Sequence, residues 1–273
     1  MKKIMQSANV PNDIEQLFET AGFSDYYRKD TVEFYSAYFI DTSEMNKFFF
    51  DVFGNEEKLN YTPRRMMNRV RYLVSLANNI ESISSESDAL RIVFLQACIE
   101  GLHKLSKSNA KHNQFFLNYC NEEDSQYIIK HFDIFDIAPC LEDGRFDGDA
   151  SENYDNNMSL ILFAEILKET RNIVLHEGDF WSVQLFNSKE DCGLLSSIQT
   201  DKKYIKDEIL KIHFQYCDEE TRKYFEKTDT LVKLLNSNGE LMYSFDTRLD
   251  YQKFVAIFVR ACVNFITNYI HDN

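Results

Sequence analysis

The residues best suited to chemistry are Arg171, Asn172 and His176, within the hexapeptide Arg171-Asn172-Ile173-Val174-Leu175-His176. On a helix that turns by about 100° per residue, Asn172 and His176 share a face. Arg171 falls beside them, and its long side chain reaches the same spot. One helix end would then present a guanidinium, an amide and an imidazole together. The imidazole would lie near the negative end of the helix dipole, which favours its protonated form. A cation, an amide and a titratable ring, with no cluster of cysteines or carboxylates beside them, suit a phosphodiester better than an acyl group or a metal ion. The same residue types also occur near helix C-termini for carbonyl capping and dipole reasons alone.

The element that must hold these side chains is a helix over residues 153–179. Asn153 or Asn156 can cap its start. Leu160, Phe163, Leu167 and Val174 recur at helical spacing and make an apolar stripe. Gly178 follows the last periodic residue and is a natural left-handed stop. The polar residues therefore sit in the last turns of a helix that otherwise reads as core.

This arrangement resembles the signature of HEPN domains, Arg-Asn-x-x-x-His near the end of a core helix in an all-helical protein. The resemblance rests on the hexapeptide and on the helical character of residues 60–273. It implies a HEPN-like helical bundle that usually forms a homodimer, with two copies of the motif meeting across a shared cleft. It also implies a metal-independent endoribonuclease, of the kind found among toxins and antiviral-defence effectors, with an RNA substrate and no cofactor. Carried over to the matching positions, Arg171 would bind the scissile phosphate, Asn172 would orient the site and His176 would act in acid–base chemistry. The products would carry 2′,3′-cyclic phosphate and 5′-hydroxyl ends. The alternative is a non-catalytic HEPN-like interaction or regulatory protein. In either case a protein inhibitor or antitoxin is a candidate partner.

Composition agrees with this fold class. Phe (23) and Tyr (15) are plentiful, whereas the breakers Gly (8) and Pro (3) are scarce. Few breakers and long periodic segments predict an all-α, or mainly α, helical bundle with at most a small β element after the motif helix. Hydrophobic residues make up 44% of the 273, enough for a sizeable core. No repeat at a period of roughly 20–50 residues is present, which excludes a solenoid. The net charge of −14 works against a high-affinity, non-specific nucleic-acid binder, because phosphate backbones are held through Lys and Arg. It suits a basic partner, and RNA cleavage then requires a locally basic cleft. Cys98, Cys120, Cys140, Cys192, Cys217 and Cys262 form no Cys-x-x-Cys pair and mostly lie in apolar runs, so they read as reduced, buried thiols. The first residues lack the apolar core of a signal peptide. No stretch reaches the roughly 20 apolar residues of a spanning helix. The chain is therefore expected in the cytoplasm, without a membrane partner.

The chain divides near residue 60. Residues 1–60 read as an N-terminal helical extension, with helices over 26–40 and 42–53 and the run Phe48-Phe49-Phe50 buried against the main body. Residues 61–273 form the HEPN-like helical domain. Helix 64–83 carries Met67, Val70, Leu73, Val74 and Ala77 on its apolar face, and Arg64, Arg65, Arg69 and Arg71 in its first half. These arginines read either as a solvated face or as one wall of a basic cleft. No aromatic residue interleaves with them, so a single-strand stacking platform is not indicated. Helix 88–107 follows after a short loop and should complete an antiparallel hairpin. Within it Glu100 either pairs with Lys104 at i,i+4 or enters the cleft, where Arg64, Arg65, Arg69 and Glu100 would contact substrate. His103 and His112 read as surface or capping residues, not ligands.

Helices over 111–119 and 122–135 lead to an acidic, aperiodic loop at 139–157. A calcium loop starting at Asp143 would place Arg145 and Tyr154 at ligand positions, so an acidic surface loop is the better reading. With no His-Glu-x-x-His or comparable spacing, no metal site is expected. Past the motif, 180–186 reads as a short extended segment and 187–203 as a loop, followed by helices over 203–215 and 218–235. Ser237-Asn238-Gly239 signals a turn, with a hairpin into strand 241–245. The final helix, 250–270, is apolar on most sides, so it is either central to the bundle or half of a dimer interface. Its polar strip, Arg260, Asn264 and Asn268, reads as a solvated edge or a contribution to the cleft.

Overall fold

Long runs without Gly or Pro fold here as helices gathered round the most apolar of them, at the end of the chain. The computed structural model describes residues 17–18, 25–53, 61–82, 87–108, 111–139, 159–178, 184–186, 196–200 and 202–273. The fold is mainly α. Its helices are α1 (Asp25–Ser36), α2 (Thr42–Phe53), α3 (Thr62–Asn79), α4 (Ser87–Ser106), α5 (Phe115–Tyr119), α6 (Glu122–Lys130), α7 (Leu160–Glu177), α8 (Lys203–His213), α9 (Glu219–Thr228), α10 (Thr230–Leu235) and α11 (Tyr251–Asp272). Single 3-10 turns cover Ile80–Ser82 and His112–Gln114.

Helix α11 is the centre of the bundle, the first of the two roles its sequence allows. Phe254, Ile257, Phe258, Ala261 and Phe265 are buried, and so are Val255, Val259, Cys262 and Ile266 on its other sides. It packs on α2, α3, α4 and α5. By length and composition this helix is also apolar enough to cross a membrane, contrary to the sequence expectation; 56% of its most apolar window is buried within the fold. Its polar strip is a solvated edge at Asn264 and Asn268, which are exposed, while Arg260 is half-buried against α6. Arg260 Nε donates to Asp124 Oδ2 at 2.8 Å, and Asn264 Nδ2 donates to the Tyr119 carbonyl at 2.8 Å, tying α11 to α6 and to the end of α5.

Helices α3 and α4 form the antiparallel hairpin, and α1 and α2 cover it. Phe48 and Phe49 are buried, and the Tyr35 hydroxyl donates to the Met67 carbonyl at 2.8 Å. These N-terminal helices share one continuous hydrophobic core with α3, α4 and α11. Cys98 and Cys262 are buried free thiols within it, and Cys120 and Cys217 are also free. Cys140 and Cys192 lie outside the described residues, as does most of the acidic loop at 139–157.

A small antiparallel sheet sits beside the helices, in the order β1 (Phe132–Pro139), β3 (Leu241–Thr247), β2 (Ser196–Thr200). Phe132 lies opposite Thr247 and Pro139 opposite Leu241, with a register shift between Ile134 and Asp136. Ser196 lies opposite Phe245. Several expectations change, among them the single helix expected over 218–235, which breaks at Asp229 into α9 and α10. The helix expected over 122–135 stops at Lys130, so the sheet begins before the motif helix as well as following it. The stretch expected to be a loop at 187–203 contains β2. The Ser237-Asn238-Gly239 turn joins α10 to β3 instead of closing a hairpin. It is held by buried Lys206, whose Nζ donates to the Ser237 and Gly239 carbonyls at 2.9 and 2.8 Å. The chain that follows the motif returns over α4: the Leu185 amide donates to Asp88 Oδ2 at 2.7 Å, and the Phe186 amide to the Leu249 carbonyl at 2.9 Å.

Candidate functional site

The motif sits on α7. Its start is Leu160, with the Ser159 hydroxyl accepting from the Leu162 amide at 3.0 Å. The cap is thus Ser159, not Asn153 or Asn156, which lie outside the described residues. Leu162, Phe163, Ile166, Leu167 and Val174 are buried and anchor the helix. Its stop is Gly178, at φ 70° and ψ 19°, the left-handed conformation that a β-carbon would disfavour. Arg171, Asn172 and His176 occupy the last two turns, at the rim of the core.

Arg171 reaches out of α7 to α4. Its Nη2 lies 2.8 Å from Glu100 Oε1 and 2.9 Å from Glu100 Oε2, and its Nη1 donates to Asn172 Oδ1 at 2.9 Å. Glu100 therefore meets the motif through Arg171. Its pair is with Arg171 and not with Lys104. The Asn172 amide in turn donates to Glu169 Oε1 at 3.4 Å, and buried Glu169 also takes Lys202 Nζ from the residue capping α8. A continuous polar chain thus runs Lys202, Glu169, Asn172, Arg171, Glu100 and connects α8, α7 and α4. It fixes the Asn172 side chain with its oxygen toward Arg171. His176 is one turn beyond Asn172, exposed, with no hydrogen-bond partner among the described residues. Next to it Leu175 is also exposed, at 54%.

Beneath the motif lie His103 of α4 and His112 of the neighbouring 3-10 turn. They are not the surface residues expected. Their rings are 6.0 Å apart, and His103 stands edge-on to Phe265 at 5.3 Å. Their ring nitrogens are buried, and the Gln96 backbone beside His112 only partly opposes the effect of that burial. Burial pushes His112 down to about 4, with His103, Lys168 and Arg171 adding to the effect, and burial lowers His103 as well. Both rings are therefore neutral near pH 7 and supply no cation to the site. Among the described residues no group of His, Cys, Asp and Glu side chains is placed to hold a metal ion.

The arginines of α3 separate into two sets. Arg64 is buried, with its guanidinium 4.8 Å from the centre of the Phe53 ring and 5.6 Å from that of Tyr61. Arg71 pairs with Asp30 and lies 5.3 Å over Tyr27. Both fasten α3 to its neighbours, so neither is placed to meet a substrate. Arg65 and Arg69 are exposed, and Arg69 lies across Gly101, the residue next to Glu100. The structure therefore brings Glu100 to Arg171 and sets Arg69 against the neighbouring Gly101, with Arg65 one turn away, and leaves Arg64 out. Sequence reasoning missed Glu169 and Lys202, which support the motif from i−3 and from another helix. It also missed Tyr72. This residue is 62% exposed and lies on the same face as Arg65 and Arg69, so an aromatic does interleave with the arginines. Spacing of i, i+3, i+4 and i+7 from Arg65 was the available signal.

No family model, curated protein or solved structure matches this chain.

Proposed function

We propose that this chain is a metal-independent endoribonuclease of the HEPN type, acting on cytoplasmic RNA as a toxin or antiviral-defence effector. The observation that carries this reading is the convergence of Arg171, Asn172 and Glu100 at the end of α7, with an exposed His176 one turn beyond. RNA carries its own nucleophile, so no metal is required. The 2′-oxygen attacks phosphorus and gives its proton to a base, while the bond from phosphorus to the 5′-oxygen breaks and that oxygen takes a proton from an acid. Arg171 stabilises the charge that builds on the phosphoryl oxygens. Asn172 and Glu100 hold the guanidinium in place. His176 exchanges one of the two protons, and the second imidazole comes from His176 of a second copy in a homodimer. Leu175, exposed beside His176, gives that second copy an apolar contact at the helix end.

One observation favours a different reading. Both carboxylate oxygens of Glu100 already occupy Arg171 Nη2, and the whole chain carries −14. A non-catalytic interaction or regulatory protein that binds a basic partner would have these features. The product ends separate the two. The nuclease yields 2′,3′-cyclic phosphate and 5′-hydroxyl ends from a mixed RNA in EDTA; the interaction protein yields no fragments.

A further inference from the structure

We infer that the exposed face of α3 is a subsite for one nucleotide of single-stranded RNA flanking the scissile position. The phosphate would be held by Arg65 and Arg69 and the base stacked on Tyr72. This rests on the endoribonuclease reading for its strand, and on its own geometry for its location. Arg65, Asn68, Arg69 and Tyr72 stand on one helix face, and with Leu73 and Leu105 they line an open groove of about 430 Å³. The two guanidiniums supply charge, Leu73 and Leu105 supply an apolar floor, and the Tyr72 ring stands largely in solvent. That combination matches a nucleotide, which is an anion joined to a flat, largely apolar ring.

Two further facts distinguish this face from an ordinary solvated one. First, its cations are uncommitted: among the described residues none of Arg65, Arg69 and Lys104 pairs with a carboxylate, whereas Arg64 and Arg71 on the same helix are both engaged. Second, the groove leads to the motif. Arg69 crosses α4 at Gly101, where the missing side chain makes room for it, and the adjoining residue Glu100 holds Arg171. Asn68 is fixed by the Tyr27 hydroxyl, which donates to its Oδ1. A strand laid over α4 would therefore pass from Tyr72, by Arg69 and Lys104, to Arg171.

The test is fluorescence anisotropy of a labelled hexaadenylate RNA in EDTA, with all proteins carrying His176→Ala so that binding is read without cleavage. Tyr72→Leu should weaken binding about tenfold, as loss of one stacked base does, whereas Tyr72→Phe should bind like the parent. Arg65→Ser should weaken binding and reduce the salt slope by about one. Tyr72 and Arg65 are exposed, so these changes leave the core alone. Hexaadenylate binding that is absent, or equal in the parent, Tyr72→Leu and Arg65→Ser, overturns the subsite. Cleavage by the chain with His176 intact is scored separately. Cleavage with unchanged Tyr72→Leu binding removes the subsite and keeps the nuclease; Tyr72-dependent binding without cleavage does the reverse.

Discussion

Glu100 and Arg171, 71 residues apart in the chain, meet at 2.8 Å where α4 passes the end of α7. The pair orients the guanidinium and also neutralises it. A phosphate approaching Arg171 must share Nη2 with the Glu100 carboxylate or displace it. For the nuclease proposed above, the ion pair would be both a support for the site and a competitor for its ligand.

Glu100→Gln tests which role dominates. The amide can still accept from Arg171 but carries no charge. With side chains 43% and 25% exposed, the pair contributes under about 1 kcal/mol to stability, so the melting temperature should hardly move. RNA affinity, measured beside His176→Ala, should rise about fivefold, because the charge-assisted bond passes to the phosphate. Weaker binding would assign Glu100 to positioning alone.

Gly101→Ala separates fold from site. A β-carbon at Gly101 collides with the Arg69 side chain, which is flexible and can move aside. Helix propensity favours alanine by about 1 kcal/mol, which offsets the disturbance. Urea denaturation should show stability within about 1 kcal/mol of wild type, while RNA affinity falls because Arg69 is displaced. Unchanged affinity would remove Arg69 from the binding surface.

Asp124→Ala addresses the bundle. Asp124 is buried and holds Arg260 of α11 through both carboxylate oxygens. Removing it leaves the guanidinium without its partner at the α6–α11 contact, and the expected loss is about 3 kcal/mol by chemical denaturation. A loss below about 1 kcal/mol would put the pair on the same footing as an exposed one.

His112 makes stability depend on pH. Burial holds the folded imidazole near 4, against about 6.5 in the unfolded chain. The unfolded state therefore binds more protons between these values, so stability rises with pH across the window and is lost as pH falls through it. Between pH 7 and 5 this group should cost the fold about 2 kcal/mol. Urea unfolding at the two pH values should show that loss in wild type and a correspondingly smaller one in His112→Gln. Equal losses would contradict the assignment.

What was legible in the sequence was local. Helix α7 and its Gly178 stop follow from spacing within about five turns, and so do α3, α4 and α11. Strand β1 was missed because Ile128, Phe132 and Phe135 continue the helical spacing of α6, while the register shift between Ile134 and Asp136 breaks the period-two alternation. Strand β2, Ser-Ser-Ile-Gln-Thr, has one apolar residue and is a strand only because β3 pairs with it from far along the chain. The same limit applies to the site. Arg171, Asn172 and His176 stood out at one helix end, but Glu100 had two candidate partners and only tertiary packing chose Arg171. The arginines of α3 were grouped by closeness in sequence, where helix geometry groups Arg65 and Arg69 with Asn68 and Tyr72 and turns Arg64 inward.

The most direct measurement is cleavage of a mixed RNA in EDTA by wild type, His176→Ala and Arg171→Ala, each checked for an unchanged melting transition. The prediction is metal-independent cleavage by wild type to 2′,3′-cyclic phosphate ends, lowered at least about a hundredfold in both variants. No cleavage by wild type, or equal cleavage by all three, would contradict an endoribonuclease built on this helix end.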